Sequence, residues 1–150
     1  MIHIKADPHN HVYKLLLAAA FRVCDSFQLI LRSDMGATYK KYQTIMNDLE
    51  PSFLMKKNQA EWASTMLFGG KKVEVFYYQT DKNALEALTK YSDSLYAWEH
   101  PKLPEDLSFF QKGKEWLVTS SHEQWCTISP NNEKERIMVT SIPGLLFEIE

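Results

Sequence analysis

The stretch LSFFQKGKEWLVTSSHEQWCTI, residues 107–128, holds three short apolar segments separated by polar turns. Lys112-Gly113 divides the first segment from the second, and a polar run around His122 and Glu123 divides the second from the third. Strands joined by turns this short pair antiparallel, because a parallel connection needs a much longer crossover. The stretch therefore predicts three neighbouring antiparallel strands, over residues 107–110, 115–120 and 125–128.

The rest of the chain alternates between strand-like and helix-like segments. We expect further strands over residues 1–6, 27–31, 53–57, 62–67 and 73–79, with Gly69-Gly70 as a tight hairpin before the last of them. Apolar residues at helical spacing predict helices over residues 9–24, 39–49 and 82–98, and Asn132 with Glu135 predicts a capped short helix. The chain is therefore expected to be a single α+β domain, residues 1–150, with a largely antiparallel mixed sheet of about six to seven strands and about four helices.

The composition is that of an ordinary globular domain, with 45% hydrophobic and 24% charged residues. The formal net charge of −2 gives no positive field to displace counterions from phosphates, so we expect no binding to duplex nucleic acid. No apolar run is long enough to cross a bilayer, so we expect no membrane partner. Cys24 and Cys126 form no CxxC pair, which favours reduced, buried thiols in a cytoplasmic protein.

Three stretches resemble catalytic or cofactor motifs but lack what those motifs need. His9 and His11 form a metal-like His-x-His pair, yet residues two positions apart diverge on a helix. The run from His122 to Cys126 resembles the zinc-binding HExxH helix but lies between two predicted strands. The glycines and lysines of residues 69–72 lack the spacing of a phosphate loop. We therefore assign no catalytic residue, no metal ligand and no cofactor.

The aromatic residues suggest a binding surface. Four tryptophans and seven tyrosines are present, and both residue types are enriched at the energetic centres of interfaces. In a regular hairpin Trp116 and Ser120 share one face of their strand, while Leu117 lies on the other. Because Leu117 suits the core, we expect Trp116 and Ser120 to be accessible beside His122. The alternative for these aromatic residues is core packing.

Three motifs carry a resemblance to a known family: Trp62-Ala63-Ser64-Thr65, Pro104-Glu105-Asp106-Leu107-Ser108-Phe109, and Trp116-Leu117-Val118-Thr119 with His122-Glu123. They resemble the W-x-x-T, PEDL-x-F and WL-x-T-x-x-HE motifs of small uncharacterised proteins from Firmicutes and their phages, which are often labelled as stage III sporulation proteins. Ala63-Ser64 departs from the Pro-Gly of this turn in the family. The resemblance extends from Trp62 onward, implies a bacterial or phage origin, and brings no established activity.

These observations predict a non-enzymatic binding or inhibitor module, of the immunity or phage counter-defence type, that captures a protein effector or a small nucleotide signal. Its binding residues would be Trp62, Thr65, Asp106, Trp116, Ser120, His122 and Glu123. One alternative is a small hydrolase or nuclease that uses His122 with Glu123 and Asp106. Another is an assembly protein that docks through its apolar tail, residues 145–149, and we also allow for a homodimer. In a purely architectural alternative, His122-Glu123 ties its hairpin to the turn at Glu105-Asp106.

Overall fold

The strand and helix segments of the sequence fold as ten strands and four helices, and the computed structural model describes all of residues 1–150. The strands are β1 (Ile2–Ile4), β2 (Ser26–Leu31), β3 (Phe53–Gln59), β4 (Glu61–Trp62), β5 (Thr65–Met66), β6 (Val73–Gln79), β7 (Glu105–Gln111), β8 (Lys114–Ser120), β9 (Trp125–Ile128) and β10 (Phe147–Ile149). The helices are α1 (His11–Val23), α2 (Gln43–Leu49), α3 (Lys82–Tyr91) and α4 (Glu133–Thr140).

Eight strands form one sheet in the order β10-β1-β9-β8-β7-β2-β6-β3, and every neighbouring pair is antiparallel. The meander predicted from residues 107–128 is confirmed as β7, β8 and β9. Lys112 and Gly113 form its first turn with φ angles of 49° and 78°, the positive values that suit a two-residue hairpin. The α+β prediction is therefore confirmed. The sheet has more strands than expected because the chain's last residues add β10.

The apolar tail docks on its own chain. Phe147 pairs with Ile4 in the sheet, and Leu145 is buried in the core. Leu146 and Ile149 remain exposed at this edge of the sheet. The tail is thus a structural strand, and docking on another molecule would have to use only its outer edge.

The helices cover one face of the sheet, which we call the helical face. In β2, Leu29 points into a core of 33 buried residues that includes side chains from all four helices. Ile30 points to the opposite face, where it packs with Trp62 and Val75 in a separate cluster. β4 and β5 pair only with each other and lie over that opposite face. We call the opposite face the open face, and residues 61–66 the flap.

The hairpin predicted at Gly69-Gly70 is wrong. β6 pairs with β3, beginning with Val73 opposite Gln59, so the chain between these two strands belongs to neither. It folds back as the flap because this buries the Trp62 indole against the open face. The flap therefore covers part of the open face.

Three helix boundaries also differ from the prediction. α2 begins at Gln43 rather than at residue 39, and the residues before it, Lys40–Tyr42, form a 3-10 turn. α3 ends at Tyr91 rather than at residue 98, because Ser92 Oγ accepts a hydrogen bond from Ser94 N at 3.1 Å and donates to Ser94 O at 2.7 Å. The side chain thereby takes backbone groups that a longer helix would use. α1 begins at His11 rather than at residue 9, since Asn10 has a non-helical φ of 52°.

The last helix begins as predicted. Asn132 Oδ1 accepts a hydrogen bond from Glu135 N at 2.9 Å, which satisfies one free amide at the start of α4. The helix ends at Thr140, ahead of Pro143-Gly144. None of the four helices combines the length and apolar character of a membrane-spanning helix.

Candidate functional site

The site begins where β2 ends beside β7. Arg32 follows β2, and its Nε and Nη2 atoms donate to Asp34 Oδ1 and Oδ2, both at 2.9 Å. Its third nitrogen, Nη1, donates at 2.5 Å to Oε2 of Glu105, the first residue of β7. The hydrogen bonds from Arg32 lower the pKa of the Asp34 carboxyl. Because one guanidinium serves two carboxylates, Arg32 has no unused charge to offer a ligand.

Asp106 holds three segments together at the centre of the site. Its Oδ2 accepts hydrogen bonds from Trp62 Nε1 at 2.8 Å and from Ser64 Oγ at 3.3 Å, which hold the flap. Its Oδ1 accepts from the backbone N of Ser121, in the turn after β8, at 2.8 Å. Asp106 has a φ of 57°, a left-handed conformation that is uncommon for residues with a Cβ. Burial raises the pKa of its carboxyl to about 6, although these three donors act in the opposite direction.

His100 is oriented by a tyrosine. Tyr42 Oη lies 2.9 Å from His100 Nδ1 and 3.1 Å from the carbonyl oxygen of Pro101. A carbonyl oxygen can only accept, so we assign the Tyr42 hydroxyl as the donor to the Pro101 oxygen. His100 Nδ1 then carries a proton and donates a hydrogen bond to Tyr42 Oη. This assignment leaves Nε2 of a neutral His100 as a hydrogen-bond acceptor. The backbone N of His100 also donates to Glu105 Oε1 at 3.2 Å, which fixes this loop beside β7.

These segments enclose a cavity of about 250 Å³, which we call the acidic pocket. Its lining consists of Arg32, Met35, Thr65, Glu99, His100, Glu105, Asp106, Ser120, His122 and Glu123. Four carboxylates in this lining therefore face a single guanidinium. Arg32 and Asp106 are hydrogen-bonded within the protein, whereas the carboxylate oxygens of Glu99 and Glu123 accept no hydrogen bond. The unused hydrogen-bonding groups of the pocket are mainly acceptors.

The pocket brings together most of the residues predicted from the sequence: Thr65, Asp106, Ser120, His122 and Glu123. They come from three separate segments, namely the flap, the start of β7 and the end of β8 with its turn. Trp62 lies behind the lining, where its indole donates to Asp106 and the Arg32 guanidinium carbon stands 5.4 Å from its ring centre. Six of the seven predicted residues thus belong to this one region.

Trp116 is the exception. The predicted accessibility of Trp116 is wrong, and so is that of Ser120, which is only 7% exposed although it lines the pocket. The β7–β8 register shifts, so that Leu117 pairs with Phe109 but Glu115 pairs with Phe110, which leaves Trp116 as an extra residue in β8. Such a bulge breaks the alternation of side chains along a strand. Trp116 therefore joins Leu117 in the main core, where it is 1% exposed and donates to Glu135 Oε1 at 2.9 Å.

The residues of the hydrolase hypothesis share the pocket without forming a hydrogen-bonded set. No hydrogen bond joins His122, Glu123 and Asp106, and both Asp106 oxygens are occupied by other donors. The His122 ring is 84% exposed, and its Nδ1 lies 4.0 Å from Oε2 of Glu99. The tie between this turn and Asp106 is made by the backbone of Ser121, so the predicted His122-Glu123 tie is wrong. No group of His, Cys, Asp or Glu side chains has the arrangement of a metal site.

Sequence reasoning missed Arg32, Glu99 and His100 as pocket residues. Arg32 carried a local signal, because it follows a strand and precedes Asp34 by two positions, a spacing that here gives a bidentate pair. Glu99 and His100 carried no local structural signal for the pocket, since the helix predicted up to residue 98 is followed by a segment that indicates only an extended connector. The early end of α3 is what allows their loop to reach β7.

Comparisons of the chain with protein-family models, with curated proteins and with solved structures give no match. The geometry and charge of the acidic pocket are therefore the basis for a functional proposal.

Proposed function

We propose that the protein is a binding module whose acidic pocket holds a positively charged side chain of a protein partner. One observation carries the proposal: Arg32 is already paired with Asp34 and Glu105, while the carboxylates of Glu99 and Glu123 accept no hydrogen bond at the cavity and Glu99 Oε2 has only His122 Nδ1 near it, at 4.0 Å. Such a module would act as an inhibitor or immunity-type protein that engages a basic effector.

We place this module in the cytoplasm. Its two cysteines, Cys24 and Cys126, are free and buried. Free thiols are typical of proteins that stay in a reducing compartment. A cytoplasmic inhibitor would meet its effector inside the producing or infected cell.

Charge favours a protein effector over a small nucleotide signal. A phosphate group is usually bound by a free cation or by backbone N–H groups, and the only guanidinium in the lining serves two carboxylates. A phosphate entering the pocket would also be repelled by the carboxylates of the lining, since like charges that face each other at an interface are unfavourable. A guanidinium or ammonium group would instead be attracted, and the same field would speed its approach.

The size of the pocket fits a single side chain. Its volume of about 250 Å³ is smaller than the ~300–1,000 Å³ of typical small-molecule sites. The planar guanidinium of an arginine can donate two parallel hydrogen bonds to one carboxylate, as Glu99 or Glu123 would allow. Ser120 Oγ and His100 Nε2 offer further acceptors in the same cavity. Arginine is also among the residues that dominate binding energy at interfaces.

Titration with short peptides tests this proposal. The probe is acetyl-Gly-Arg-Gly-amide, the matched neutral peptide carries glutamine instead of arginine, and binding is followed by amide chemical shifts. We expect the arginine peptide to shift signals of the pocket residues, and the double variant Glu99→Gln/Glu123→Gln to bind it about tenfold more weakly. The control Glu50→Gln/Glu86→Gln makes the same charge change at exposed positions outside the pocket.

The outcomes separate the candidate ligands. Equal binding of the arginine and glutamine peptides, or equal weakening in both double variants, would overturn the proposal of a specific cationic site. Tighter binding of a nucleoside monophosphate at the pocket than of the arginine peptide would favour the small nucleotide signal instead.

A hydrolase is the second candidate, because His122, Glu123 and Asp106 converge on the same cavity. The raised pKa of Asp106, about 6, would let this carboxyl carry a proton near neutral pH. Purified protein should then turn over p-nitrophenyl esters or phosphodiesters, and His122→Ala should abolish the activity. His11→Ala, an exposed histidine on α1, is the matched control. Turnover that survives His122→Ala would remove this candidate.

A further inference from the structure

The open face carries a second concavity on the other side of the flap. This groove has a volume of about 610 Å³ and is lined by Gln28, Gln59, Ala60, Glu61, Trp62, Ala63, Tyr77, Phe110, Gly113 and Glu115. It shares no lining residue with the acidic pocket. We call it the sheet groove.

Gln28 lies in the middle of the sheet at this groove and lacks a partner. It stands between Tyr77 of β6 and Ser108 of β7, on the face opposite to the helices. Its side chain is almost fully buried, and its Nε2 makes no hydrogen bond within the protein. An unpaired buried amide destabilises a fold, and an apolar side chain would suit this position better. Gln28 therefore places in the wall of this groove an amide whose Nε2 is itself covered by protein and unpaired.

Aromatic side chains form the rest of the groove's inner surface. The rings of Tyr77 and Phe110 lie beside Gln28, with their centres 6.3 Å apart. The indole of Trp62 belongs to the same lining, although its N–H is already donated to Asp106. Planar ligands stack favourably on such surfaces, and Gln can hydrogen-bond the edge of a base with both ends of its amide.

Charge at the groove argues against a phosphate. Glu61 and Glu115 are the charged residues of the lining. One cation stands near the lining, because the Lys57 ammonium lies 5.6 Å from the centre of the Tyr77 ring, so two carboxylates face one ammonium at this groove. Carboxylates accept hydrogen bonds from hydroxyl groups, as a sugar would provide, but they repel an anion.

We propose that the sheet groove binds an uncharged nucleoside, with its base against Tyr77 and Phe110 and its base edge on the Gln28 amide. A half-turn of the amide exchanges its donor and acceptor ends, so either complement on the base can be met. The sugar hydroxyls would face Glu61 and Glu115. This site is separate from the acidic pocket and does not depend on the function proposed there.

Chemical-shift titration with adenosine, guanosine, cytidine and uridine tests this site. At least one nucleoside at millimolar concentration should shift the amide signals of Tyr77, Phe110 and Gly113. Gln28→Met keeps the side-chain length but removes both hydrogen-bonding ends, so it should weaken binding about tenfold. Gln43→Met, the same change at an exposed position on α2, should leave it unchanged.

The midpoint of thermal unfolding of Gln28→Met shows whether weaker binding could come from a loss of folded protein. Because the variant removes an unpaired buried donor, its midpoint should equal or exceed that of the wild type. The proposal is overturned if no nucleoside shifts these signals, if Gln28→Met binds as well as Gln43→Met, or if the corresponding monophosphate binds more tightly than the nucleoside. Glu99→Gln/Glu123→Gln should bind the nucleoside normally, which separates this test from that of the acidic pocket.

Discussion

Two buried tryptophans, one on each face of the sheet, make the same hydrogen bond in different surroundings. On the open face Trp62 donates its indole N–H to Asp106 at 2.8 Å, and on the helical face Trp116 donates to Glu135 at 2.9 Å. Each tryptophan directly follows a glutamate in the sequence. The local sequence therefore does not distinguish the two regions, but the surroundings of the two carboxylates do.

The pKa values of these carboxylates move in opposite directions. Burial raises the pKa of Asp106 to about 6. Burial acts in the same direction on Glu135, but hydrogen bonds from Asn131, Trp116 and Asn132 together lower its pKa. Glu135 also lies in the first turn of α4, where the helix dipole favours a negative charge.

This difference separates a structural pair from a candidate functional one. The Trp116–Glu135 pair joins α4 to the core. The Glu135 carboxylate receives enough hydrogen bonds there to stabilise its ionised form. The Asp106 carboxylate lies at the wall of the acidic pocket, and perturbed ionisable groups in clefts are typical of functional sites. We expect the open-face pair to be the weaker of the two and to respond in the opposite way to pH.

Truncating the tryptophans should give the largest effects. We expect Trp116→Ala to lower the free energy of unfolding by about 4 kcal/mol, because it opens a cavity in the main core and removes a donor to Glu135. Trp62→Ala should lower it by about 3 kcal/mol, since its cluster has only four buried residues and the flap can move. Urea unfolding measures both values.

Hydrogen exchange shows where each truncation acts. Trp62→Ala should lose protection in the flap, residues 61–66, while the core strands keep theirs. Trp116→Ala should lose protection throughout the sheet. If both variants lost protection globally and to the same extent, the distinction between the two faces would be wrong.

The pH dependence of stability should show the second effect, through Asp106. A pKa raised from 3.8 to about 6 means that the folded protein binds this proton more tightly than the unfolded chain. The resulting stability is complete below the unfolded pKa and is lost as pH rises through about 6, by about 3 kcal/mol in all. Urea unfolding of the wild type and Asp106→Asn at pH 4 and pH 7 measures it. The difference between the two proteins should change with pH in this direction; a constant difference would contradict the shift.

Glu135 should behave in the opposite way and more weakly. Because its folded pKa is lowered, its stabilising effect is present above the ordinary value of 4.5 and is lost as pH falls through the folded pKa. We expect Glu135→Gln to lower stability at pH 7 by about 1 kcal/mol, the usual net value of one hydrogen bond, because the glutamine oxygen still accepts from part of the same donors. The two proteins should converge as pH falls through the folded pKa of Glu135. Glu86→Gln, at an exposed glutamate on α3 whose side chain makes no hydrogen bond or ion pair, is the control.

Local signals in the sequence predict much of this fold. The turn at Lys112-Gly113 predicts the β7–β8 hairpin, and the cap at Asn132 predicts the start of α4, because both depend on residues close in the chain. The end of α3 is not predicted, since apolar residues at helical spacing continue to Trp98 in the connector. There the Ser92 side chain competes for the backbone, and the apolar residues are buried without a helix.

The site is predicted less completely, for two physical reasons. The position of Trp116 depends on a β-bulge. A bulge is set by the register between two strands, so the residue pattern of one strand alone does not reveal it. Arg32, Glu99 and His100 reach the pocket from distant segments, and only the packing of β2 beside β7 brings them together. The other motif residues, by contrast, lie in the flap, at the start of β7 and at the end of β8 with its turn, and these three segments meet at one cavity.

The smallest effect we predict concerns the tautomer of His100. In the wild type, ¹⁵N spectra at a pH where the ring is neutral should show the proton on Nδ1, because Tyr42 donates to Pro101 and can only accept from the ring. Tyr42→Phe removes that acceptor, so the proton should move toward Nε2, while stability changes by about 1 kcal/mol or less. Tyr39→Phe, the same change at an exposed tyrosine, should alter neither. With a proton on Nε2, His100 would present a hydrogen-bond donor to a cationic ligand where it otherwise presents an acceptor. Tyr42→Phe should therefore also weaken binding of the arginine peptide. A proton that stays on Nδ1 in Tyr42→Phe would mean that Tyr42 does not set the tautomer, and a proton on Nε2 in the wild type would remove His100 from the acceptors of the pocket.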